Sequence, residues 1–158
     1  MHCQSIRDKT GEDVIFENMK EEDLSDVLAI ERASFTSPWS EPLFRNEISS
    51  PLSRPIIAKM SGRIIGYICS TLITDEGNIL DIAVHPAFRG QGIASALIEE
   101  TIKHLKALGC RAIFLEVRIS HESALRMYDK FEFKVIGTRK DYYASPVEDA
   151  SIMVLRLD

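Results

Sequence analysis

The stretch Ile79-Leu-Asp-Ile-Ala-Val-His-Pro-Ala-Phe-Arg-Gly-Gln-Gly-Ile-Ala-Ser95 joins an apolar run to a glycine-bearing loop that opens a helix, and its reading decides the fold. A helix start carries backbone N–H groups without intrahelical partners and the positive end of the macrodipole, so phosphate oxygens dock there. Gly90 and Gly92 let the backbone turn sharply and let a bulky polyanion approach the amides, and Arg89 adds a positive charge at the mouth. The same residues also suit an ordinary strand-to-helix turn whose glycines solve only a steric problem.

Working outward, Ile79 to Val84 reads as a strand stopped by Pro86. Beyond the loop, Ile93, Ala94, Leu97, Ile98, Ile102, Leu105 and Leu108 mark a long amphipathic helix that Gly109 ends. Ala112 to Val117 is a nearly continuous apolar strand, expected to be buried on both faces. Ser120 or Ser123 caps a helix to about Lys130, and Phe133 to Tyr143 and Ser151 to Leu157 are the last strands, linked by a polar loop from Ala144 to Asp149. Before the central stretch, Asp75 to Asn78 makes a turn, and Pro55 to Met60 with Ile64 to Leu72 reads as a hairpin through Ser61-Gly62. Helices are expected from Glu21 to Phe35 and, capped by Ser40, from Glu41 to Ile48, after a short strand from Val14 to Asn18. Residues 1–13 show no period and read as a flexible lead-in. This order, β-α-α-β-β-β-α-β-α-β-β, indicates an α/β (α+β) fold with one mixed sheet in a single domain, 1–158.

Composition narrows the function. A chain of 158 residues, 45% hydrophobic and 27% charged, is large enough to bury a core without disulfides or metals. Its net charge of -5 argues against non-specific binding of nucleic acid, which needs a basic footprint. No apolar run approaches a membrane span and the amino terminus lacks a signal-peptide core, so a cytoplasmic protein without membrane contact is expected. Cys3, Cys69 and Cys110 are widely spaced and form no Cys-x-x-Cys pair, which suggests neither a disulfide framework nor a metal site; Cys69 reads as a buried small hydrophobe.

Arg89-Gly-Gln-Gly-Ile-Ala94 matches the Gln/Arg-x-x-Gly-x-Gly/Ala motif of the GNAT family of N-acetyltransferases, and Leu80 to Pro86 resembles that family's central strand. Trp39 within Ser-Pro-Trp-Ser, Leu115-Glu-Val-Arg118, the Tyr128 to Phe133 segment, Asp141-Tyr-Tyr143 and Glu148-Asp-Ala150 further resemble the bacterial ribosomal-protein-alanine N-acetyltransferases. The resemblance implies a GNAT fold, a single mixed and mostly antiparallel twisted sheet of about seven strands flanked by four helices. It implies acetyl-CoA as co-substrate, its pyrophosphate held beside Arg89 by the amides of Gly90, Gln91, Gly92, Ile93, Ala94 and Ser95. The backbone of Ile82, Ala83 and Val84 would take the pantetheine arm and the thioester carbonyl as an added half-strand does. The family's general base falls on Glu116 and its general acid on Tyr128. Two departures stand out: His121 where the subfamily carries asparagine for a contact to the CoA arm, and Glu132 where a residue with positive φ is needed.

The chemistry is consistent with these roles. Acetyl transfer needs a neutral nitrogen, and at neutral pH roughly a tenth of a protein's α-amine is already free, against well under a thousandth of a lysine. A modest base therefore suffices. Glu116 interrupts an apolar run, where an ionised side chain is costly unless used or solvated; pairing with Arg118 or a neighbouring strand is its structural alternative. Tyr128 could equally be a core aromatic whose hydroxyl finds a partner, and Trp39, Tyr142 and Tyr143 fit either a cleft for an extended N-terminal peptide or core packing. Three functions follow for comparison: acetylation of a protein α-amine, foremost a ribosomal protein beginning with alanine; acetylation of a small amine or of lysine; and acyl-CoA binding without turnover.

Overall fold

The apolar run at Ile79–Val84 belongs at the centre of a sheet, and that is where it lies. The computed structural model describes residues 4–7 and 12–157. They form β1 (Gln4–Arg7), β2 (Asp13–Asn18), α1 (Leu24–Ser34), α2 (Glu41–Ser49), β3 (Ile56–Met60), β4 (Arg63–Ile73), β5 (Glu76–Val84), α3 (Ile93–Ala107), β6 (Ala112–Arg118), α4 (Glu122–Lys130), β7 (Lys134–Ala144) and β8 (Val147–Arg156). The strand order is β1-β2-β3-β4-β5-β6-β8-β7, antiparallel throughout except between β5 and β6. The expected mixed sheet with four helices is therefore present, with eight strands. No described helix is long and apolar enough to cross a membrane.

The eighth strand is β1, which pairs Gln4 with Phe16 and Arg7 with Asp13 inside the segment expected to be a lead-in. A four-residue edge strand with the sequence Gln-Ser-Ile-Arg carries no apolar alternation, so only its partner's backbone reveals it. The remainder of that expectation, at 1–3 and 8–11, falls outside the described residues. Two turns are also shorter than expected. β5 begins at Glu76 and β8 at Val147, because polar residues at the open ends of strands pair through their backbones as well as apolar ones do.

Each face of the sheet buries one apolar cluster. Ile93, Leu97, Ile98 and Leu105 of α3, with Ala124 and Tyr128 of α4, pack on Ile65, Ile68, Ile79, Val84 and Leu115. On the other face Leu24, Val27, Leu28 and Ile30 of α1 and Phe44 of α2 pack on Ile57, Tyr67, Cys69 and Ala83. A fully buried aliphatic side chain contributes about 1.5–3 kcal/mol, so these two layers carry most of the stabilisation. The expectation that β6 is buried on both faces is not met: Ile113, Leu115 and Val117 are buried, while Ala112, Phe114, Glu116 and Arg118 are partly open. Its second face looks onto a cleft rather than a helix layer.

The end of α4 resolves the question at Glu132. The Phe133 N–H donates to the Tyr128 carbonyl at 3.1 Å and the Glu132 N–H to that of Asp129 at 2.9 Å, with the Tyr128 and Phe133 rings 5.6 Å apart. This is a Schellman closure with its apolar contact, and it requires a left-handed residue, which Glu132 supplies at φ 72°. A side chain there costs about 1–2 kcal/mol relative to glycine. Glu132→Gly is therefore expected to stabilise the protein by about 1 kcal/mol, read as a higher urea midpoint at unchanged slope; a lower midpoint would contradict the strain.

Candidate active site

β5 and β6 pair only from Glu76↔Ala112 to Asn78↔Phe114, although β5 continues to Val84 and β6 to Arg118. Past Asn78 each strand keeps only its outer neighbour, β4 or β8, and the sheet opens between them. A bulge starts the opening: Cys69 faces Asp81 and Ser70 faces Ile79, so Leu80 is the extra residue that bends β5. The His85 N–H donates to the Ile65 carbonyl on β4 at 2.7 Å. By the alternation of an antiparallel ladder, Ala83 also directs its backbone to β4, while Ile82 and Val84 direct theirs into the opening. The Val84 carbonyl is already taken by Arg89 Nε at 3.0 Å.

The loop after β5 ends in α3, whose N-cap is Gly92 at φ 83°, with Gly90 at φ 77°. A Cβ built at either glycine meets nothing within 4 Å, so the space above the loop is open and its glycines answer to backbone conformation rather than to packing. Left-handed glycines, an open helix N-terminus and a half-strand whose backbone at Ile82 and Val84 faces the opening fit a pyrophosphate joined to an extended amide-bearing arm. Ile93 is buried and offers the site only its N–H, as Ala94 and Ser95 offer theirs. Arg89 is braced inward, with a second nitrogen donating to Ser34 Oγ at 3.0 Å, so it ties the loop to α1. His121 is the N-cap of α4; burial first and then the Arg89 guanidinium hold its imidazole below the usual value, against a pull upward from Glu148. The departure at His121 thus places a neutral ring beside Arg89 at the mouth of the opening.

Glu116 sits on the open face of β6, opposite Ile152, with Oε1 3.5 Å from Arg139 Nε and its side chain 30% exposed. Neither Arg118 nor an adjacent strand takes it; its partner comes from β7, across β8. Tyr128 is 5% exposed, and burial first, then Asp81 and Tyr143, push its phenol well above the ordinary range. Tyr142 and Tyr143 pack edge to face, 5.0 Å apart. Burial pushes Tyr143 up to about 12, with Tyr142 the next cause. Trp39 stands on the other wall, its ring 5.2 Å from Phe44, and is half core residue, half cleft residue.

Arg118, which sequence reasoning treated only as a partner for Glu116, joins the two walls. Its guanidinium lies 4.3 Å from the centre of the Tyr143 ring and donates to the Pro146 carbonyl at 3.1 Å, the Ser145 carbonyl at 3.2 Å and Glu148 Oε1 at 3.1 Å. Thr36, on the loop between α1 and α2, donates its hydroxyl to the same Ser145 carbonyl. Glu148 also accepts the Ser120 N–H at 2.7 Å, and the hydrogen bonds from Ser120 and Arg118 hold its carboxyl below the usual range. Its folded value is depressed, so the stability it contributes is present above the unfolded carboxyl's value and lost as pH falls through the folded one. Glu148→Gln is expected to melt below the parent protein at pH 7 and together with it near pH 3, in paired thermal scans.

Sequence reasoning also missed the buried polar group beneath β5. Glu31 is 1% exposed; its Oε1 accepts the Tyr67 O–H at 2.5 Å and its Oε2 the Trp39 N–H at 2.8 Å. Asp81 lies beside it, 9% exposed, with Oδ2 unpartnered. Burial and Glu31 push Asp81 up to about 9, and burial raises the Cys69 thiol far above its usual value, which makes that cysteine inert. A signal for Asp81 was present: it is the only charge in the run Ile79–Val84. No group of three or more acidic, histidine or cysteine side chains placed to hold a metal occurs among the described residues.

Residues 24–133 match the model of the acetyltransferase (GNAT) family. The chain is 35% identical over 146 residues to the ribosomal protein bS18-alanine N-acetyltransferase of Haemophilus ducreyi, spanning 90% of this chain and 100% of that one. It is 30% identical over 135 residues to the enzyme of the same name from Escherichia coli, spanning 84% and 90%. The crystal structure of the Escherichia coli ribosomal-protein-S18-alanine N-acetyltransferase superposes with a TM-score of 0.86 at 28% identity, covering 92% of this chain and 94% of that one. With the family model matched over more than half its length and both relatives covering more than two thirds of it, the chain belongs to the GNAT family of acetyltransferases, whose members use acetyl-CoA.

Proposed function

We propose that this acetyltransferase modifies the N-terminal α-amine of a protein, a ribosomal protein beginning with alanine. The observation that carries the reading is the likeness, across 90% of the chain and the whole of the relative, to an enzyme with that acceptor. The site supplies a consistent mechanism. The N–H groups of the Gly90–Ser95 loop, with Arg89 and His121 beside them, hold the acetyl-CoA pyrophosphate and arm, and the gap-facing backbone of Ile82 and Val84 aims the thioester carbonyl. Ala83 serves by fixing β5 to β4.

Glu116 acts as general base on the incoming ammonium, through a water that its half-open position admits. A protein α-amine, with an ordinary pKa of about 7.7–8.0, asks little of a carboxylate, whereas a lysine asks far more. Tyr128, which keeps its proton at neutral pH, donates a hydrogen bond to the departing sulfur. Trp39 on one wall and Tyr142 and Tyr143 on the other receive the peptide, and the Arg118 clasp sets the width between them.

The test is an acceptor comparison with acetyl-CoA: an alanine-initiated peptide, its N-blocked form carrying an internal lysine, and small amines. Acetylation of the free alanine peptide alone is expected. Modification of only the blocked peptide or the small amines would overturn the acceptor, and binding of acetyl-CoA without turnover of any amine would overturn the enzyme.

A further inference from the structure

Glu31 neither holds acetyl-CoA nor moves a proton in the proposed transfer, yet it is 1% exposed, less than any other buried acidic side chain among the described residues. Burying a carboxylate is costly, and an apolar side chain of similar volume in such a place is often as stable or more so. Glu100, the next most buried, offsets that cost with the Arg54 guanidinium at 3.1 Å. Glu31 is instead committed to two neutral donors on separate elements. Its Oε1 accepts the Tyr67 O–H of β4 at 2.5 Å, and its Oε2 accepts the Trp39 N–H of the α1–α2 loop at 2.8 Å. A group bonded in this way contributes placement more than stability.

These two bonds close a ring of contacts. The Tyr67 ring meets Phe44 edge to face at 5.7 Å, and Phe44 meets the Trp39 ring at 5.2 Å. Trp39 is therefore held twice, by its backbone to Glu31 and by its indole to Phe44, and both holds lead to Tyr67. Tyr67 and Phe44 are fully buried, while Trp39 is only partly so. In the sheet Tyr67 stands opposite Ala83, which is flanked by Ile82 and Val84, whose backbones face the opening. The same loop is fixed on its far side by the Thr36 hydroxyl on the Ser145 carbonyl. The Arg118 clasp thus sets the width of the cleft, and Glu31 sets the place of its Trp39 wall against the β4–β5 pair.

We propose that Glu31 is a positioning residue that acts through Trp39: its carboxylate fixes the acceptor wall relative to the strand pair along which the thioester is to lie. Groups that align a reaction must be held within about 0.5 Å of the productive place, and a residue on a loop meets that demand only when its support is locked. The ring through Glu31, Tyr67 and Phe44 supplies the lock. Reach rather than charge is what the role requires, because one side chain must span from the Trp39 N–H to the Tyr67 hydroxyl.

The proposal rests on the acetyl-transfer reading, which wild-type turnover of the alanine peptide tests separately; if wild type acetylates a different amine, the same comparison is run with that amine. Peptide KM and kcat at saturating acetyl-CoA, acetyl-CoA affinity by calorimetry, and tryptophan fluorescence are measured for each variant. The fluorescence is specific to the wall, since Trp39 is the only tryptophan in the chain. Glu31→Asp keeps the charge and loses the reach. It is expected to raise the peptide KM about 10-fold and to shift the Trp39 emission, with kcat and acetyl-CoA affinity changed by no more than about threefold. Glu31→Gln keeps the reach and loses the charge: its amide oxygen accepts the Trp39 N–H and its amide N–H donates to the Tyr67 oxygen, so it is expected to restore KM to within about threefold of wild type. A normal KM in Glu31→Asp, a Glu31→Gln as impaired as Glu31→Asp, or an equal loss of acetyl-CoA affinity would overturn the proposal. If Glu31→Asp does not fold, Tyr67→Phe takes its place, because it keeps the ring on Phe44 and cuts the tie between Glu31 and β4. A raised peptide KM with a shifted emission is then expected, and an unchanged KM overturns the proposal. In wild type, saturating peptide is expected to change the Trp39 emission. Turnover without that change would place Trp39 outside the acceptor wall and overturn the role of Glu31 while leaving acetyl transfer standing.

Discussion

Glu116→Gln is expected to lower kcat for peptide acetylation by about 10²–10⁴-fold at pH 7, with acetyl-CoA affinity unchanged. The amide keeps the shape and the place on the open face of β6 but cannot accept a proton. The deficit should narrow as pH rises through the acceptor's own pKa of about 7.7–8.0, because solvent then delivers the neutral amine that the carboxylate otherwise provides. Folding is not at stake. The Arg139 ion pair that the substitution removes is 3.5 Å long, with partners 58% and 30% exposed, and surface pairs of this kind contribute about 0–1 kcal/mol. A steady-state pH profile from 6 to 10, run beside a thermal melt, checks both statements. An unchanged kcat would remove Glu116 from the base role and return it to the ion pair alone.

Glu116 and Asp81 mark the limit of what a sequence discloses. Both are single charges inside apolar strand runs, and the cost of burying an ionised carboxylate was argued for Glu116. The structure buries Asp81 and leaves Glu116 partly open. Glu116 alternates onto the half-open face, while the bulge at Leu80 turns Asp81 inward beneath α1. A bulge shifts the phase of every later residue in its strand, and no periodicity announces it beforehand. The layer order and most element positions were legible because they follow from apolar spacing and from glycine and proline punctuation. β1, the early starts of β5 and β8 and the Arg118 clasp were not, because backbone pairing and the reach of a long side chain across 30 residues to Glu148 depend on the assembled sheet.

Gly92→Trp is expected to abolish acetyl-CoA binding while leaving the sheet folded, and Gly92→Ala separates the two causes that could be involved. Both variants place a side chain on a residue at φ 83°, so both carry the left-handed penalty of about 1–2 kcal/mol. They differ in what fills the space above the α3 N-terminus, where a Cβ at this position meets nothing within 4 Å. If that space is the seat of the pyrophosphate, alanine should weaken binding modestly and tryptophan should drive it below detection, since an indole there covers the amides that would face the phosphate oxygens. If the loop is only a strand-to-helix turn, the two variants should lose stability alike and bind acetyl-CoA alike. Calorimetric titration of both, each checked by thermal melting, distinguishes the cases: equal affinities at equal melting temperatures would show that the opening residues of α3 serve the backbone turn and not the cofactor.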